Sequence, residues 1–313
     1  MKAIILSAIG STDNLQFRDI PIPMLQNDEV MVKVKSISIN PVDAKTRGGS
    51  GVYRYGNISE KSELILGWDI SGVITASKSP LFEVGDEVFG MVNFPGEGKA
   101  YAEFVAAPAR HLALKPSNIT HQEAAAATLA PLTAWQVLMH QAGIKSGDRV
   151  FIHAASGGVG HYAVQLAKHL GAYVIGSSSA INKDFVLSLG ADEHFDYLSQ
   201  NLTDISEPVD FVLDCLGTES TLLSLDIIKE GGKIISIVSQ FTDEVKHKAG
   251  KKDITGGFYL VHSDGNDMQT LAILLKEGKL QSHISKSFTF EQMADAHHQI
   301  ESSRTVGKVV VNI

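Results

Sequence analysis

Apolar positions follow two different rhythms along the chain. Over roughly the first 120 residues they alternate with polar ones in short stretches: Met1 to Ala8, Glu29 to Ile39, Leu64 to Thr75, Asp86 to Met91 and Tyr101 to Ala107. A period of two puts every second side chain on the same face of a strand, and strands so spaced predict a β-rich, partly barrel-like domain. The rhythm then changes. Val150 to His153, Ala172 to Ser177, Glu193 to Tyr197, Asp210 to Leu216, Lys233 to Val238 and Gly257 to His262 are short apolar runs, with helical patterns between them such as Val159, Ala163, Leu166 and Leu170. Continuous apolar runs suit strands covered on both faces, and their alternation with helices specifies a doubly wound parallel sheet. Beyond Gly278 the pattern reverts: Ile284 to Phe290 reads as extended, Gln292 to Glu301 as helical and Lys308 to Ile313 as a last strand. The expectation is an α/β protein of two domains, 1–120 completed by 279–313, and 121–278.

One segment of the second half carries chemistry. Val150 to Lys168 reads as a buried strand, a glycine turn and the start of a helix, with the turn spelled Ala155-Ser156-Gly157-Gly158-Val159-Gly160. Glycines let the backbone approach a ligand or a packed strand, and the N–H groups of a first helical turn face an anion. Alanine stands where the usual dinucleotide fingerprint has its first glycine. In parallel sheets ligands bind beyond the carboxyl ends of the strands, where Ser156, Ser178, Leu216 and Val238 are expected.

The formal charge is −8, from 27 Lys and Arg against 35 Asp and Glu, so the surface has no general attraction for nucleic acid. No apolar span is long enough to cross a bilayer, and a cytoplasmic protein is expected. Cys215 is the only cysteine, which excludes an internal disulfide and a multi-cysteine zinc site.

Five motifs occur in order: Asn40-Pro-Val-Asp-Ala-Lys45, Gly67-Trp-Asp-Ile-Ser-Gly-Val73, Gly85-Asp-Glu-Val-Phe-Gly90, Ala100-Tyr-Ala-Glu-Phe104 and Ala155-Ser-Gly-Gly-Val-Gly160. With Leu189-Gly-Ala-Asp192 and the Gly307-Lys-Val-Val310 ending, the chain resembles the zinc-free quinone oxidoreductases and enone reductases of the medium-chain dehydrogenase/reductase superfamily over nearly its whole length. The resemblance implies a GroES-like catalytic domain, completed by the C-terminal segment, with a Rossmann domain inserted, and a homodimer paired through the last inserted strand, Gly257 to His262. Zinc members of the superfamily carry a catalytic cysteine near Asn40-Pro41 and Gly-His-Glu in place of Gly67-Trp68-Asp69. With no recognised ligand spacing among the 12 histidines, no metal is expected.

An NAD site usually ends its second strand in Asp or Glu, about 20 residues after the turn. This chain has Ser177-Ser178 there and Lys183 nearby, groups that donate to a 2′-phosphate, so NADPH is the expected cofactor. No arginine serves this loop. The resemblance adds Tyr197 at the same phosphate or the adenine edge, Thr133 near the cofactor, and the Asn40 to Lys45 region, Pro41 included, beside the nicotinamide. Ser239, Phe258 and Leu260 are expected at the nicotinamide end. The chemistry expected is hydride transfer to a quinone or α,β-unsaturated carbonyl. Lys45 is the first candidate for the donor to the developing oxyanion, Tyr53 or Tyr55 the alternative, and Asn40 an orienting group. Asp43 is expected as an exposed, ionised carboxylate holding Lys45 or a loop backbone. A redox sensor or structural protein that binds NADPH, and a zinc-free alcohol or aldehyde reductase, are the alternatives.

Overall fold

The structure is a computed structural model and describes residues 1–55 and 63–313. The chain opens with β1 (Lys2–Leu6) and β2 (Leu15–Asp19), an antiparallel pair. The long β3 (Glu29–Ile39) alternates exposed Lys33 and Lys35 with buried Val32 and Val34, as its sequence requires. Helix α1 (Pro41–Arg47) follows at once. Its start is written in the sequence: Asn40 at the N-cap, Pro41 at the first helical position, and Asp43 accepting from the Asn40 N–H at 2.8 Å. Next come β4 (Asp69–Ser77), β5 (Glu87–Met91), β6 (Phe104–Pro108) and β7 (Leu112–Leu114), then helices α2 (His121–Ala126) and α3 (Leu129–Trp135).

The second set of elements is β8 (Arg149–Ile152), α4 (Gly160–His169), β9 (Tyr173–Ser178), α5 (Lys183–Ser188), β10 (Glu193–Asp196), β11 (Val209–Asp214), α6 (Thr218–Ser224), β12 (Ile228–Ser236), α7 (Asp243–Gly250) and β13 (Thr255–Phe258). All six strands are parallel, in the order β10-β9-β8-β11-β12-β13. Read from β8 as the first, this is the 3-2-1-4-5-6 order of the dinucleotide-binding fold, whose switch point lies between β8 and β11. Phe151, Ile175, Phe195, Val212 and Ile234 form the core of this unit with Val245 of α7.

Helix α8 (Gly265–Lys276), β14 (Ile284–Thr289), α9 (Met293–Glu301) and β15 (Lys308–Asn312) complete the chain. Strand β15 pairs antiparallel with β3, giving the path β14-β15-β3-β4-β5-β7 with β6 also on β3.

The chain divides into two compact units, Met1–Leu132 with Val261–Ile313, and Thr133–Leu260. Sequence rhythm puts the joints at 120/121 and 278/279. The difference has a packing cause: α2 lies on β3, β4 and β15, and α8 lies on β7, so both helices join the β-rich unit. Pro95 to Gly98 is half-buried, with the Gly96 carbonyl accepting from Trp68 Nε1 at 2.6 Å. Gly51–Tyr55 is an anchored 3₁₀ turn, its Val52 N–H donating to Thr46 Oγ1. Residues 56–62 of the Gly48 to Ser62 loop lie outside the described residues.

Candidate active site

In the parallel unit, the expected cofactor residues gather at the carboxyl edge of the sheet. Strand β8 runs into Ala154 to Val159, and the Ala155 N–H donates to the Ser177 carbonyl at 2.8 Å, tying the glycine turn to the end of β9. Ser156 is buried, while Gly157, Gly158 and Val159 are half-open to solvent. Gly160 is required by packing, since a Cβ there would lie 2.1 Å from the Ala154 carbonyl oxygen. The alanine at the first fingerprint position is also explained. The left-handed conformation of this turn is taken by Ala154, at φ +48°, and not by Ala155. The Ala155 methyl faces Gly176, where a Cβ would meet it at 3.0 Å. Glycine at 176 makes room for what alanine adds at 155.

Farther along the same edge, Gly217 brings the Leu216 segment against Val238 and Ser239, and Thr218 Oγ1 lies 3.4 Å from Ser239 Oγ. Leu216 is exposed. Phe258 stands opposite Ser236 in the β12–β13 register, and Leu260 follows just beyond the strand. Asp214, fully buried, holds this corner by accepting from the N–H groups of Leu216 and Gly217 and from the hydroxyl of Thr221. The turn, the serines and these loops suit a dinucleotide: an anion-facing helix start, no carboxylate at the end of β9, and apolar residues beyond the strand ends.

The second-strand serines are deeper than their sequence suggests. Ser177 and Ser178 are 2% and 3% exposed, and the Ser178 hydroxyl is already engaged, 2.8 Å from His194 Nε2 and 3.2 Å from the Ser179 carbonyl. Lys183 and Tyr197 are exposed. Thr133, at the edge of this unit, is buried.

In the β-rich unit, Lys45 and Pro41 are exposed on α1, and Tyr53 and Tyr55 are half-buried. The Lys45 carbonyl accepts from Ser50, whose own carbonyl accepts from Tyr53 N, which ties the tyrosine turn to α1. Asn40 is interior. Its Nδ2 donates to Asp69 Oδ2 at 2.7 Å and its Oδ1 accepts from Lys308, so both ends of the amide are committed. Asp69 also accepts from the Leu129 N–H at 3.2 Å. One amide, one carboxylate and one ammonium offer fewer than the three ligands a catalytic zinc needs. Among the described residues no group of three or more His, Cys, Asp or Glu is placed to hold a metal.

Asp43 corrects its sequence reading. The carboxylate is fully buried, and burial pushes its pKa up to about 7. It does hold a loop backbone, that of Asn40, through Oδ2. Oδ1 has no close hydrogen bond, and the Tyr101 hydroxyl is the nearby donor that favours the charged carboxylate. Tyr101 Oη is 3.0 Å from His297 Nε2, and Arg47 Nε donates to His297 Nδ1 at 3.3 Å. Because Nδ1 accepts, the neutral ring carries its proton on Nε2 and donates to Tyr101, which frees the tyrosine proton for Asp43. Burial and the Arg47 charge push the His297 pKa down to about 3. Sequence reading missed Tyr101, His297 and Lys308 as site residues, because α9 carries His297 to Tyr101 and β15 carries Lys308 to Asn40 and Asp69 from far along the chain. Buried charge types on strand-like runs are the one sequence signal they leave.

Residues 26–117 match the Alcohol dehydrogenase GroES-like domain and residues 189–311 the Zinc-binding dehydrogenase family. The chain is 31% identical to the 2-methylene-furan-3-one reductase of Solanum lycopersicum, over 100% of this chain and 79% of the relative. It is also 31% identical to the chloroplastic NADPH-dependent alkenal/one oxidoreductase of Arabidopsis thaliana, over 99% of this chain and 79% of the relative. Among solved structures, the quinone oxidoreductase from Coxiella burnetii superposes with a TM-score of 0.91 at 35% identity, covering 100% of this chain and 99% of that one. The chain belongs to the medium-chain dehydrogenase/reductase superfamily. Within it, the chain is an oxidoreductase whose relatives are named for enone, alkenal and quinone substrates.

Proposed function

We propose that the protein is a metal-independent, NADPH-dependent reductase of quinones or α,β-unsaturated carbonyls. The observation that carries the reading is the carboxyl edge of the parallel sheet, with a glycine turn tied to a second strand that ends in Ser177-Ser178 rather than a carboxylate. The turn from Ser156 to Gly160 would hold the pyrophosphate, Ser178, Lys183 and Tyr197 the 2′-phosphate end, and Thr133, Val238, Ser239, Phe258 and Leu260 the nicotinamide half. When bound, NADPH supplies the hydride. Lys45 donates to the developing enolate or quinol oxygen, with Tyr53 and Tyr55 as the nearby alternative donors. Asn40 acts indirectly: bonded to Asp69 and Lys308, it anchors the N-cap position of the helix that carries Lys45. Asp43 holds the same cap, and a buried carboxylate with a raised pKa is a proton reservoir rather than a solvated anion.

The protein is further proposed to act in the cytoplasm as a homodimer paired through β13, the last strand in the sheet order. Its single cysteine suits a reducing compartment. The test is loss of nicotinamide absorbance when purified protein and NADPH meet a panel of quinones, short enones and saturated aldehydes. Turnover confined to the first two classes, with kcat lowered at least tenfold in Lys45→Ala at unchanged NADPH affinity, is expected. Binding without turnover selects the sensor reading, and turnover of saturated carbonyls the alcohol or aldehyde reductase.

A further inference from the structure

The 2′-phosphate subsite proposed above has a charge problem. Ser177 and Ser178 are too deep to offer two hydroxyls to a ligand, and the one proton of Ser178 is shared between the Ser179 carbonyl and His194. The charged side chains acting on His194 are Lys183 and Asp196. Asp196 stays ionised, because the Ser199 hydroxyl at 2.6 Å and the N–H groups of Leu198 and Ala180 hold its pKa below the usual carboxylate range. Lysine and aspartate cancel. With no arginine in the loop, the site has no net positive charge for a group that carries roughly −1.5 to −2 near neutral pH.

His194 is placed to supply it. The residue lies on β10 opposite Gly176 of β9, two positions before the register partner of Ser178, and its Nε2 reaches the Ser178 hydroxyl. Its ring is partly exposed where the serines are not. When Ser178 donates to the Ser179 carbonyl, it must accept from Nε2–H, which leaves Nδ1 of the neutral ring to take a proton. We infer that His194 is a cofactor-specificity residue, a switchable cation that protonates as the 2′-phosphate binds and so sets the preference for NADPH over NADH. In the free protein the ring is held neutral, its pKa lowered chiefly by burial, with Lys183 adding to this and Asp196 opposing it. A dianion arriving beside it reverses that balance. Binding of NADPH therefore takes up a proton that binding of NADH does not.

This inference rests on the NADPH reading of the same site, and calorimetry separates the two. NADPH and NADH are titrated into the full-length protein at pH 6.5 and 8.5, in two buffers of different ionisation enthalpy. The expected result is proton uptake with NADPH alone, and an NADPH-over-NADH preference that falls about tenfold between the two pH values, the size of one charge-assisted contact. In His194→Gln, which keeps a donor for Ser178, the preference drops to the high-pH level and becomes flat with pH, while NADH affinity is unchanged. His194→Lys restores the preference without the pH dependence. If wild-type protein shows no preference for NADPH, the cofactor reading itself fails and takes this inference with it. If wild type prefers NADPH and His194→Gln keeps that preference at pH 6.5, the inference alone is overturned.

Discussion

Lys308 Nζ lies 3.9 Å from Asp69 Oδ2, and the Asn40 side chain is inserted between the two as a hydrogen-bonded bridge. Both charges are buried, at 3% and 0% exposure. Removing one member of such a pair strands the other, which typically costs about 3–5 kcal/mol, whereas removing both charges together is far milder. Lys308→Met should therefore lower the unfolding free energy by that amount, seen as a lower urea midpoint at unchanged m, and Lys308→Met combined with Asp69→Asn should recover at least about 1 kcal/mol. Asn in place of Asp still accepts from Leu129 N. Strict additivity of the two single substitutions in a double-mutant cycle would show that the pair is not coupled.

Buried titratable groups pull stability in opposite directions with pH. His153 is held at about 4 by burial, below its ordinary 6.5, so its contribution is present above pH 6.5 and is lost as pH falls towards 4. Asp43 is raised by burial to about 7 from 3.8, so its contribution is complete below pH 3.8 and is lost as pH rises through 7. Relative to wild type, His153→Gln should gain stability as pH drops from 7 to 5, and Asp43→Asn should gain it as pH rises from 5 to 8. Urea unfolding at these pH values reads both differences. Curves that run parallel to wild type would refute the burial of these two ionisations.

Where the sequence carries its own periodic signal, structure follows it closely. Glu29–Ile39 is recognised by its recurring apolar positions, and the parallel strands are located by their short runs, although the sixth lies at Thr255–Phe258, two residues ahead of the expected Gly257 to His262. The capping signature of Asn40, Pro41 and Asp43 is local too. What escapes is set by partners distant in sequence. Lys308 looks like the polar start of an edge strand until β15 pairs with β3, and Asp43 looks solvated until Tyr101 and His297 close over it. Strands β2 and β7 are missed for the opposite reason: they are short, and exposed Phe17 and Leu114 blur their alternation. His194 is invisible as a site residue because the sequence offers Ser178, and only depth reveals which of the two meets solvent.

The glycine turn tolerates change unequally at neighbouring positions. A Cβ at Gly160 would collide with the backbone of Ala154, and overpacking of this kind costs about 1–3 kcal/mol. Gly160→Ala should lower Tm by several degrees and weaken nicotinamide binding with it. Ala154, in contrast, sits at φ +48°, where a side chain is strained by about 1–2 kcal/mol. Ala154→Gly should raise stability by about 0.5–1 kcal/mol, the strain relief less the added freedom of the unfolded chain. Calorimetric scans of both variants, with and without NADPH, check the two signs; equal losses would mean the turn is not held as described.

An enzyme that handles enones is exposed to reagents that alkylate thiols, and its own cysteine stands at the end of the fourth parallel strand. Burial, with the Asp214 charge beside it, pushes the Cys215 thiol well above its ordinary range. The thiolate is the reactive form, so less of it is available at pH 8 than in a free cysteine. Labelling of the native protein by N-ethylmaleimide should accordingly be slower than labelling in urea, and intact-mass spectra taken after enone turnover should show no adduct. Urea supplies the internal control, because the same thiol reacts there at the rate of a model peptide. Rapid modification of folded protein, with loss of activity in proportion, would place Cys215 in contact with the electrophile and make the strand end part of the substrate's environment.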